Sequence, residues 1–391
     1  MTVTKIKKRD GRLVPFDQSK IAAAITKAFN ATYKPGQEEA AQRLADQVLA
    51  LLAEEGGACP EVEHIQDLVE QVLMDNGYIQ TAKAYILYRD QRSRSREMNT
   101  RLMKIYGDIT YTAAKDSDIK RENANIDGDT AMGAMLKFGS EGAKQFYDMF
   151  VLDPEHARAH REGDIHIHDL DFLTLTTTCC QIDIQKLFAG GFSTGHGTLR
   201  EPNDISSYAA LCCIAIQSNQ NDQHGGQSVV NFDYGMADGV RKTFVRMYRQ
   251  NLARALMLLC GGEDPEARLK MLQGEIQEEA GLAPTLADCE DYFAAELPRL
   301  APFGEESELK KAQRFAHARA VKETDRAAYQ AMEALIHNLN TMHSRAGAQT
   351  PFSSINYGTD TSPEGRMVMK NILLATEAGL GGGETPIFPI Q

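Results

Sequence analysis

Two adjacent cysteines and two nearby histidines make residues 163–192 the segment best equipped for chemistry. The stretch GDIHIHDLDFLTLTTTCCQIDIQKLFAGGF carries His166 and His168, then Cys179 and Cys180. On a strand the two histidines would share one face, and the neighbouring cysteines would point to opposite faces. Thiols bind metals and act as nucleophiles, but free cysteine is also among the most buried residue types. The residues alone therefore allow three interpretations: a metal site, buried core side chains, or a polar patch that contacts substrate.

The cysteine spacing argues against a disulfide scaffold and against a zinc site of the usual spacing. The chain has seven cysteines, an odd number, and no CxxC motif. Four of them form the adjacent pairs 179–180 and 212–213. Disulfides are therefore not expected, and a zinc site of the usual spacing has no support within these residues. This usage predicts a reducing cytoplasm as the compartment and no metal site.

Positive charge is concentrated around a turn near the N-terminus, in VTKIKKRDGRLVPFDQSKI. The dipeptide Asp10-Gly11 is typical of a hairpin turn, and Asp17 suits the N-cap of a following helix. Basic side chains beside a helix N-terminus can hold a polyphosphate, although an ordinary basic surface hairpin has the same composition. The basic residues of this segment are Lys5, Lys7, Lys8, Arg9, Arg12 and Lys20.

Two further segments offer neutral hydrogen-bonding groups. The glycines of QHGGQS, residues 223–228, would let the backbone approach a ligand closely, or would simply form a tight loop. AQTPFSSINYG, residues 348–358, supplies donors that could hold ribose or phosphate oxygens without adding charge. The terminal GLGGGE favours a turn over a phosphate loop, because no Lys-Ser or Lys-Thr follows it.

The overall composition excludes several classes of protein. With 391 residues, 42% hydrophobic and 25% charged, the chain can bury a sizeable core and is long enough for two or three domains. No window approaches about 18 uninterrupted apolar residues, so no membrane span is predicted. No apolar segment follows the basic N-terminus, which argues against a secretory signal. The net charge of −12 argues against a nucleic-acid-binding surface, while a local cluster could still bind one nucleotide.

The hydrophobic pattern divides the chain into two predicted domains, residues 1–92 and 93–391. The first is predicted to be a hairpin followed by four helices, and the polar, basic stretch 89–101 is predicted to be the connector. Beyond it, residues 120–260 mix helices with short apolar or alternating runs, and residues 263–345 have a strongly charged helical pattern. The fold class that follows is α/β.

Several of these strings resemble known families. KRDGRLVPFDQSKIAAAI, with VEHIQDLVEQVLM and AKAYILYRDQR, resembles the ATP-cone, a nucleotide-sensing domain at the N-termini of ribonucleotide reductases. HIHDLDF, TTTCCQIDIQKLFAGGF, SNQNDQHGGQS and SRAGAQTPFSSINYGTD follow in that order and resemble the anaerobic, class III ribonucleoside-triphosphate reductase. The resemblance implies an α+β ATP-cone, then part of a ten-stranded α/β barrel of the glycyl-radical type.

The activity implied by the resemblance is anaerobic reduction of ribonucleoside triphosphates to 2′-deoxyribonucleoside triphosphates by thiyl and glycyl radical chemistry. In the family, a second cysteine supplies hydrogen four residues before the aspartate of the motif matched by TTTCCQID. Counting back from Asp183 selects Cys179. The substrate contacts implied by the resemblance are His168, Asp169, Gln349, Ser353, Ser354 and Asn356.

The implied effectors are ATP, as activator, and dATP, as inhibitor, each with Mg²⁺ and each bound by the cone. The positions that match the family's nucleotide contacts are Lys8, Arg9 and Lys20, with Arg12 and Arg89 added by charge and placement. The implied partners are ribonucleoside triphosphates, a radical-SAM iron–sulfur activating enzyme, and further copies of the chain in a homodimer or higher oligomer.

Other parts implied by the resemblance would lie after the last residue. These are the thiyl cysteine, the formate-linked or thiol-linked reductant residues, a cysteine zinc site and the radical glycine; no RVxGY-like string occurs in the sequence. We therefore expect an N-terminal fragment or split-gene product that is inactive alone. The alternatives are a nucleotide-sensing regulatory subunit that does not catalyse and a formate-lyase-like acyltransferase, against which the cone argues.

Overall fold

The structure is a computed structural model that describes residues 3–8, 11–32, 36–56, 59–121, 126–173, 176–260 and 264–391. Backbone contacts divide the chain into two compact units. The first unit comprises residues 1–107 and 145–165, and the second comprises residues 108–144 and 166–391. In the described ranges, no helix has the length and apolar character needed to cross a membrane.

The first unit begins with the predicted hairpin. Strands β1 (Lys5–Lys7) and β2 (Leu13–Pro15) pair antiparallel, and Asp17 Oδ1 accepts the backbone N–H of Ser19 at the start of the next helix. The apolar faces of the helices form one core, so a hairpin followed by helices is confirmed. The helices are α1 (Ser19–Thr32), α2 (Glu38–Glu54), α3 (Val62–Asp75) and α4 (Ile79–Tyr111).

Helix α4 is longer than the sequence predicts. It runs without a break through residues 89–101, the stretch predicted to be the connector. The stretch contains no glycine or proline and is rich in Arg, Gln, Glu and Met, all good helix formers. Its polarity marked a polar helix rather than a loop. The functional boundary near residue 92 stays a prediction.

The second unit is built on a short parallel sheet. Strands β3 (Cys180–Ile182), β6 (Gln227–Val229) and β7 (Ser353–Ile355) pair in the order β3-β6-β7. Beyond β7, Ile390 continues the pairing: its N–H donates to Ser353 O at 2.9 Å, and its carbonyl accepts from Ile355 N–H at 2.8 Å. The apolar segment near the last residue is therefore packed beside the sheet.

Helices cover one side of this sheet. A buried apolar cluster joins Val229 and Ile355 to helix residues such as Phe232, Met332 and Ile372. The remaining strands and helices are β4 (Phe192–Ser193), β5 (Thr198–Leu199), α5 (Asp118–Arg121), α6 (Ala131–Phe150), α7 (Pro154–Glu162), α8 (Ile184–Phe188), α9 (Ile205–Asn219), α10 (Phe232–Cys260), α11 (Glu266–Ala280), α12 (Glu290–Leu300), α13 (Glu306–Thr341) and α14 (Pro363–Ala378).

A second core lies in the helical, charged region predicted for residues 263–345. It encloses a buried carboxylate, Glu296, which accepts hydrogen bonds from the hydroxyls of Tyr248 at 2.5 Å and Tyr292 at 3.0 Å, and from Gln313 Nε2 at 2.9 Å. Burial raises the pKa of Glu296. The partners are all neutral donors, so this group stabilises the packing of α10, α12 and α13 rather than forming an ion pair.

Candidate active site

The alternation of side chains gives the sheet two different faces. The strand registers place Cys180 beside Gln227 and Gln227 beside Ser353, and the next residue of each strand points the opposite way. We call the side packed against the helices the core face and the other side the outer face. The core face carries Cys180, Ile182, Gln227, Val229, Ser353 and Ile355, and the outer face carries Gln181, Ser228 and Ser354.

The outer face borders a cavity of about 530 Å³. Cys179 precedes β3 by one residue and so shares the parity of Gln181. The thiol of Cys179 is exposed. The side chains of this parity that line the cavity are Cys179, Gln181, Ser228, Phe352 and Ser354.

Gly225 of the QHGGQS loop lies against the Cys179 thiol. A Cβ added to Gly225 would stand 2.9 Å from Cys179 Sγ, and the backbone there has φ +91°, which L side chains rarely adopt. The loop after it is held to β3 by a bond from Cys180 N–H to Gly226 O at 3.2 Å. The backbone of this loop thus lies close to the thiol, and its predicted approach to a ligand stays a prediction.

Cys180 has a different environment from its neighbour. Its Sγ accepts a hydrogen bond from Asn219 Nδ2 at 2.9 Å, and the same amide group donates to Gln227 Oε1 at 2.7 Å. In the described part of the chain, Gln227 Nε2 and Ser353 Oγ are buried without a hydrogen-bond partner. Cys180, Gln227 and Ser353 thus form a polar row on the core face, and all three residues also line part of the cavity.

The segment around His168 is not a strand. Helix α7 ends at Glu162 and is followed by Gly163 with φ +85°. Asp169 has a left-handed φ of +50° at the start of a 3₁₀ turn over Leu170–Phe172. Residues 166–168 therefore form no strand, but the rings of His166 and His168 still lie 6.0 Å apart between centroids. The exposed His168 has Nε2 3.4 Å from Asp169 Oδ2.

Asp169 also approaches a histidine that sequence reasoning did not place in the site. Its Oδ2 lies 3.7 Å from Nε2 of the buried His224, whose Nδ1 is 3.1 Å from Thr176 Oγ1. The His224 ring stacks on Phe172 at 4.3 Å between centroids, and the backbone N–H of His224 donates to Thr177 O at 3.0 Å. The sequence signal for His224 was its place in the glycine-rich QHGGQS segment. Within the described ranges, no group of three or more His, Cys, Asp or Glu could hold a metal ion.

Gln349 and Asn356 lie at opposite ends of the segment that contains β7. Gln349 is buried, and its Oε1 accepts from Arg345 Nη1 at 3.3 Å. Asn356 is exposed, and its Nδ2 donates to Ser228 Oγ at 3.4 Å. Asn356 therefore joins the outer face, whereas Gln349 lies in the loop that precedes β7.

The loop after Asn356 is anchored from the core side by Asp233. Asp233 Oδ2 accepts three backbone N–H bonds, from Gly358 at 2.9 Å and from Thr359 and Asp360 at 3.0 Å each. Burial alone would raise the pKa of this carboxyl, but the N–H donors outweigh it and lower the pKa. No local pattern singled out Asp233, because its partners lie 125 to 127 residues further along the chain.

The predicted effector-binding residues of the N-terminal segment lie at two places, the turn of the hairpin and the start of helix α1. Lys8 and Arg12 are exposed at the turn of the hairpin, where Lys8 N–H donates to Arg12 O at 2.9 Å. Lys20 is in the first turn of α1, after the opposite end of β2, with Nζ 3.8 Å from Asp17 Oδ2. Arg9 lies outside the described residues.

Arg89 is engaged by acidic side chains of helix α3. Its guanidinium lies 2.7 Å from Glu63, 2.6 Å from Asp67 and 2.7 Å from Glu70. Its charge is therefore compensated within the first unit, and it joins α4 to α3. The effector roles of Arg89 and of the hairpin residues stay predictions.

Comparisons with known proteins match two stretches of the chain. The sequence model of the anaerobic ribonucleoside-triphosphate reductase family matches residues 122–391, and that of the ATP cone domain matches residues 4–94. The anaerobic ribonucleoside-triphosphate reductase of Escherichia coli is 27% identical over 98% of this chain and 46% of its own length. That of Enterobacteria phage T4 is 26% identical over 70% of this chain and 36% of its own length.

A shorter likeness extends to another reductase. The vitamin B12-dependent ribonucleoside-diphosphate reductase of Thermoplasma acidophilum is 41% identical over 28% of this chain and 14% of its own length. The chain spans about half the length of the E. coli relative. Because the reductase model matches more than half of the residues, the chain belongs to the anaerobic ribonucleoside-triphosphate reductase family.

Proposed function

We propose that this chain carries the substrate-side thiol and the effector domain of an anaerobic ribonucleoside-triphosphate reductase. The observation that carries the proposal is the position of Cys179, whose exposed thiol borders the cavity on the outer face. Ser228 and Ser354 line the same cavity, and Asn356 lies beside Ser228. A thiol among neutral hydrogen-bonding groups suits a sugar that must lose a hydroxyl.

The reaction replaces the 2′-hydroxyl of a ribonucleotide with hydrogen, takes up two electrons and two protons, and releases water. The whole enzyme supplies radical chemistry at the 3′ carbon. In our proposal, the S–H group of Cys179 provides hydrogen to the sugar. Ser354 and Asn356 donate hydrogen bonds to ribose or phosphate oxygens, and their neutrality leaves the charge around the reacting sugar unchanged. The roles of His168, Asp169, Gln349 and Ser353 as substrate contacts stay predictions.

The proposed regulation resides in the hairpin. Lys8 and Arg12 are exposed at its turn, where their charge can attract the phosphates of ATP or dATP with Mg²⁺. The match to the ATP cone domain over residues 4–94 supports this role. A second copy of the chain and a radical-SAM activating enzyme are its proposed partners.

Calorimetric titration of the 391-residue chain with CTP, as substrate probe, and with ATP separates the two sites. Ser354→Ala should weaken CTP binding roughly three- to tenfold, because one hydrogen bond of about 1 kcal/mol is lost. The control Ser206→Ala, at an exposed serine of helix α9, should leave CTP binding unchanged. Lys8→Gln should weaken ATP binding, and the control Lys27→Gln, exposed on α1, should not.

Two results would count against the proposal. Equal effects of the two serine substitutions on CTP binding would remove the outer face as the substrate site. ATP binding that depends on Lys8, with no CTP binding at all, would favour the nucleotide-sensing regulatory subunit instead.

A further inference from the structure

Arg345 makes an unusual set of contacts for a half-buried cation. Its Nη2 donates to two backbone carbonyls, those of Gln220 and Gln223, and its Nη1 donates to Gln349 Oε1 at 3.3 Å. In the described part of the chain, no carboxylate forms an ion pair with it. The guanidinium therefore binds the backbone of the loop that contains Gln220 and Gln223, and no carboxylate of the described residues neutralises its charge.

The loop that Arg345 holds is the one that approaches the candidate thiol. Gln223 immediately precedes His224, whose N–H donates to Thr177 O at 3.0 Å, and Gln223 Nε2 donates to Gly225 O at 3.2 Å. The adjacent Ser344 hydroxyl also bonds the Gln220 side chain. Gln220 and Gln223 are thus fixed on one side by the 344–349 loop, and Gly225 follows two residues after the fixed carbonyl.

Arginine suits this task better than lysine. A guanidinium is a planar fork with five N–H donors in fixed directions, so one group can bind two carbonyls and an amide oxygen together. A lysine ammonium carries the same charge at a point and does not reproduce that geometry. Burying a cation away from carboxylates costs free energy. Burial accordingly lowers the pKa of Arg345 below its ordinary value. The hydrogen bonds from the guanidinium to Gln220, Gln223 and Gln349 must offset this cost.

We propose that Arg345 is a positioning residue that holds the 220–226 loop so that Gly225 stays against Cys179 Sγ. Its catalytic meaning rests on the proposed function, in which Cys179 delivers hydrogen to the sugar. The positioning itself is a property of the loop and is measurable without turnover.

The test is the alkylation rate of Cys179 by iodoacetamide in the 391-residue chain, followed by mass spectrometry of its peptide. Cys59, exposed in the first unit, is the internal reference. Arg345→Lys and Arg345→Gln should each raise the Cys179 rate roughly three- to tenfold relative to Cys59, because the loop opens locally. The control Arg319→Lys, in an exposed pair with Glu323, should leave the ratio unchanged.

Amide hydrogen exchange gives a second measurement that does not depend on the thiol. The amides of His224 and Cys180, bonded to Thr177 O and Gly226 O, should exchange faster in Arg345→Lys, while helix α9 keeps its protection.

Three outcomes would overturn the proposal. The first is an unchanged ratio of Cys179 to Cys59 alkylation in both variants. The second is an unchanged ratio in Arg345→Lys with a raised ratio in Arg345→Gln, and the third is faster amide exchange throughout the second unit. Lysine rescue would mean that charge, not the fork, matters. None of these outcomes bears on CTP or ATP binding, so failure here is distinct from failure of the proposed function.

Discussion

The two faces of the β3-β6-β7 sheet carry nearly the same residue types in opposite environments. Cys179 and Cys180 are neighbours in sequence, yet Cys179 is exposed beside Gly225, whereas Cys180 is half-buried and its Sγ accepts from Asn219 Nδ2. Ser354 and Ser353 differ in burial, since Ser354 is half-buried whereas Ser353 is buried and its Oγ has no partner in the described structure. A polar residue's role here depends on strand parity more than on residue type.

This difference separates a thiol that a ligand can reach from thiols that burial keeps protonated. Burial raises the pKa of the Cys213 thiol to about 12, which disfavours its thiolate. Burial also raises the pKa of Cys212. The exposed Cys179 is instead confined on one side by Gly225. Confinement by backbone, rather than burial, leaves the sulfur accessible to a ligand in the cavity.

The largest expected effect comes from closing the space beside Cys179. Gly225→Ala should destabilise the second unit by about 1–3 kcal/mol from backbone strain, with a further cost from contact between the new Cβ and Cys179 Sγ. The measurement is the free energy of unfolding in urea.

Gly195→Ala is the matched control for this substitution. Gly195 has φ +87°, close to that of Gly225, but an added Cβ there meets nothing within 4 Å. The excess cost of Gly225→Ala over this control should disappear in a Cys179→Ala background, which removes the sulfur. Equal costs for the two alanines would show that the thiol is not confined by the loop.

The sequence predicted the first unit well because its signals are local. The Asp-Gly turn and the periodic apolar residues specify a hairpin and helices within a few residues of one another. The sheet is different, since each strand has three residues and too little alternation to recognise. The parity of Cys179 and Cys180 was correctly anticipated once a strand was assumed there.

The site contacts that escaped prediction join distant segments. Arg345 reaches Gln220 and Gln223 across more than 120 residues, and Asp233 reaches the loop after β7 across a similar separation. The left-handed backbone of Asp169 had no glycine to mark it. Tertiary contacts decide these features, and no local pattern records them.

The next largest effect tests whether Asp233, on the core side of the sheet, stabilises the loop that follows Asn356. Asp233→Asn should cost about 1–3 kcal/mol at pH 7, because a carboxylate bound to three N–H groups is replaced by a neutral amide. Since folding lowers the pKa of Asp233 below its ordinary 3.8, its contribution is present above that value and is lost as the pH falls through the lower folded pKa. The gap in unfolding free energy between the two proteins should therefore shrink on acidification.

Asp291→Asn, at an exposed carboxylate of helix α12, is the control and should change the unfolding free energy little at either pH. A gap for Asp233→Asn that stays constant from pH 7 into the acid range would mean that the charge of Asp233 does not stabilise the loop that follows Asn356.

The smallest effect separates the two cysteines themselves. Cys180→Ala removes a sulfur that accepts from Asn219 and should destabilise the chain by about 1 kcal/mol, whereas Cys179→Ala, on the exposed side, should stay within about 0.5 kcal/mol of the parent. Urea unfolding measures both. Iodoacetamide should modify Cys179 faster than Cys180 in the native protein, since only Cys179 is exposed. If Cys179→Ala proved the more destabilising change, or Cys180 the faster thiol, the outer face would not be the reactive side of the sheet.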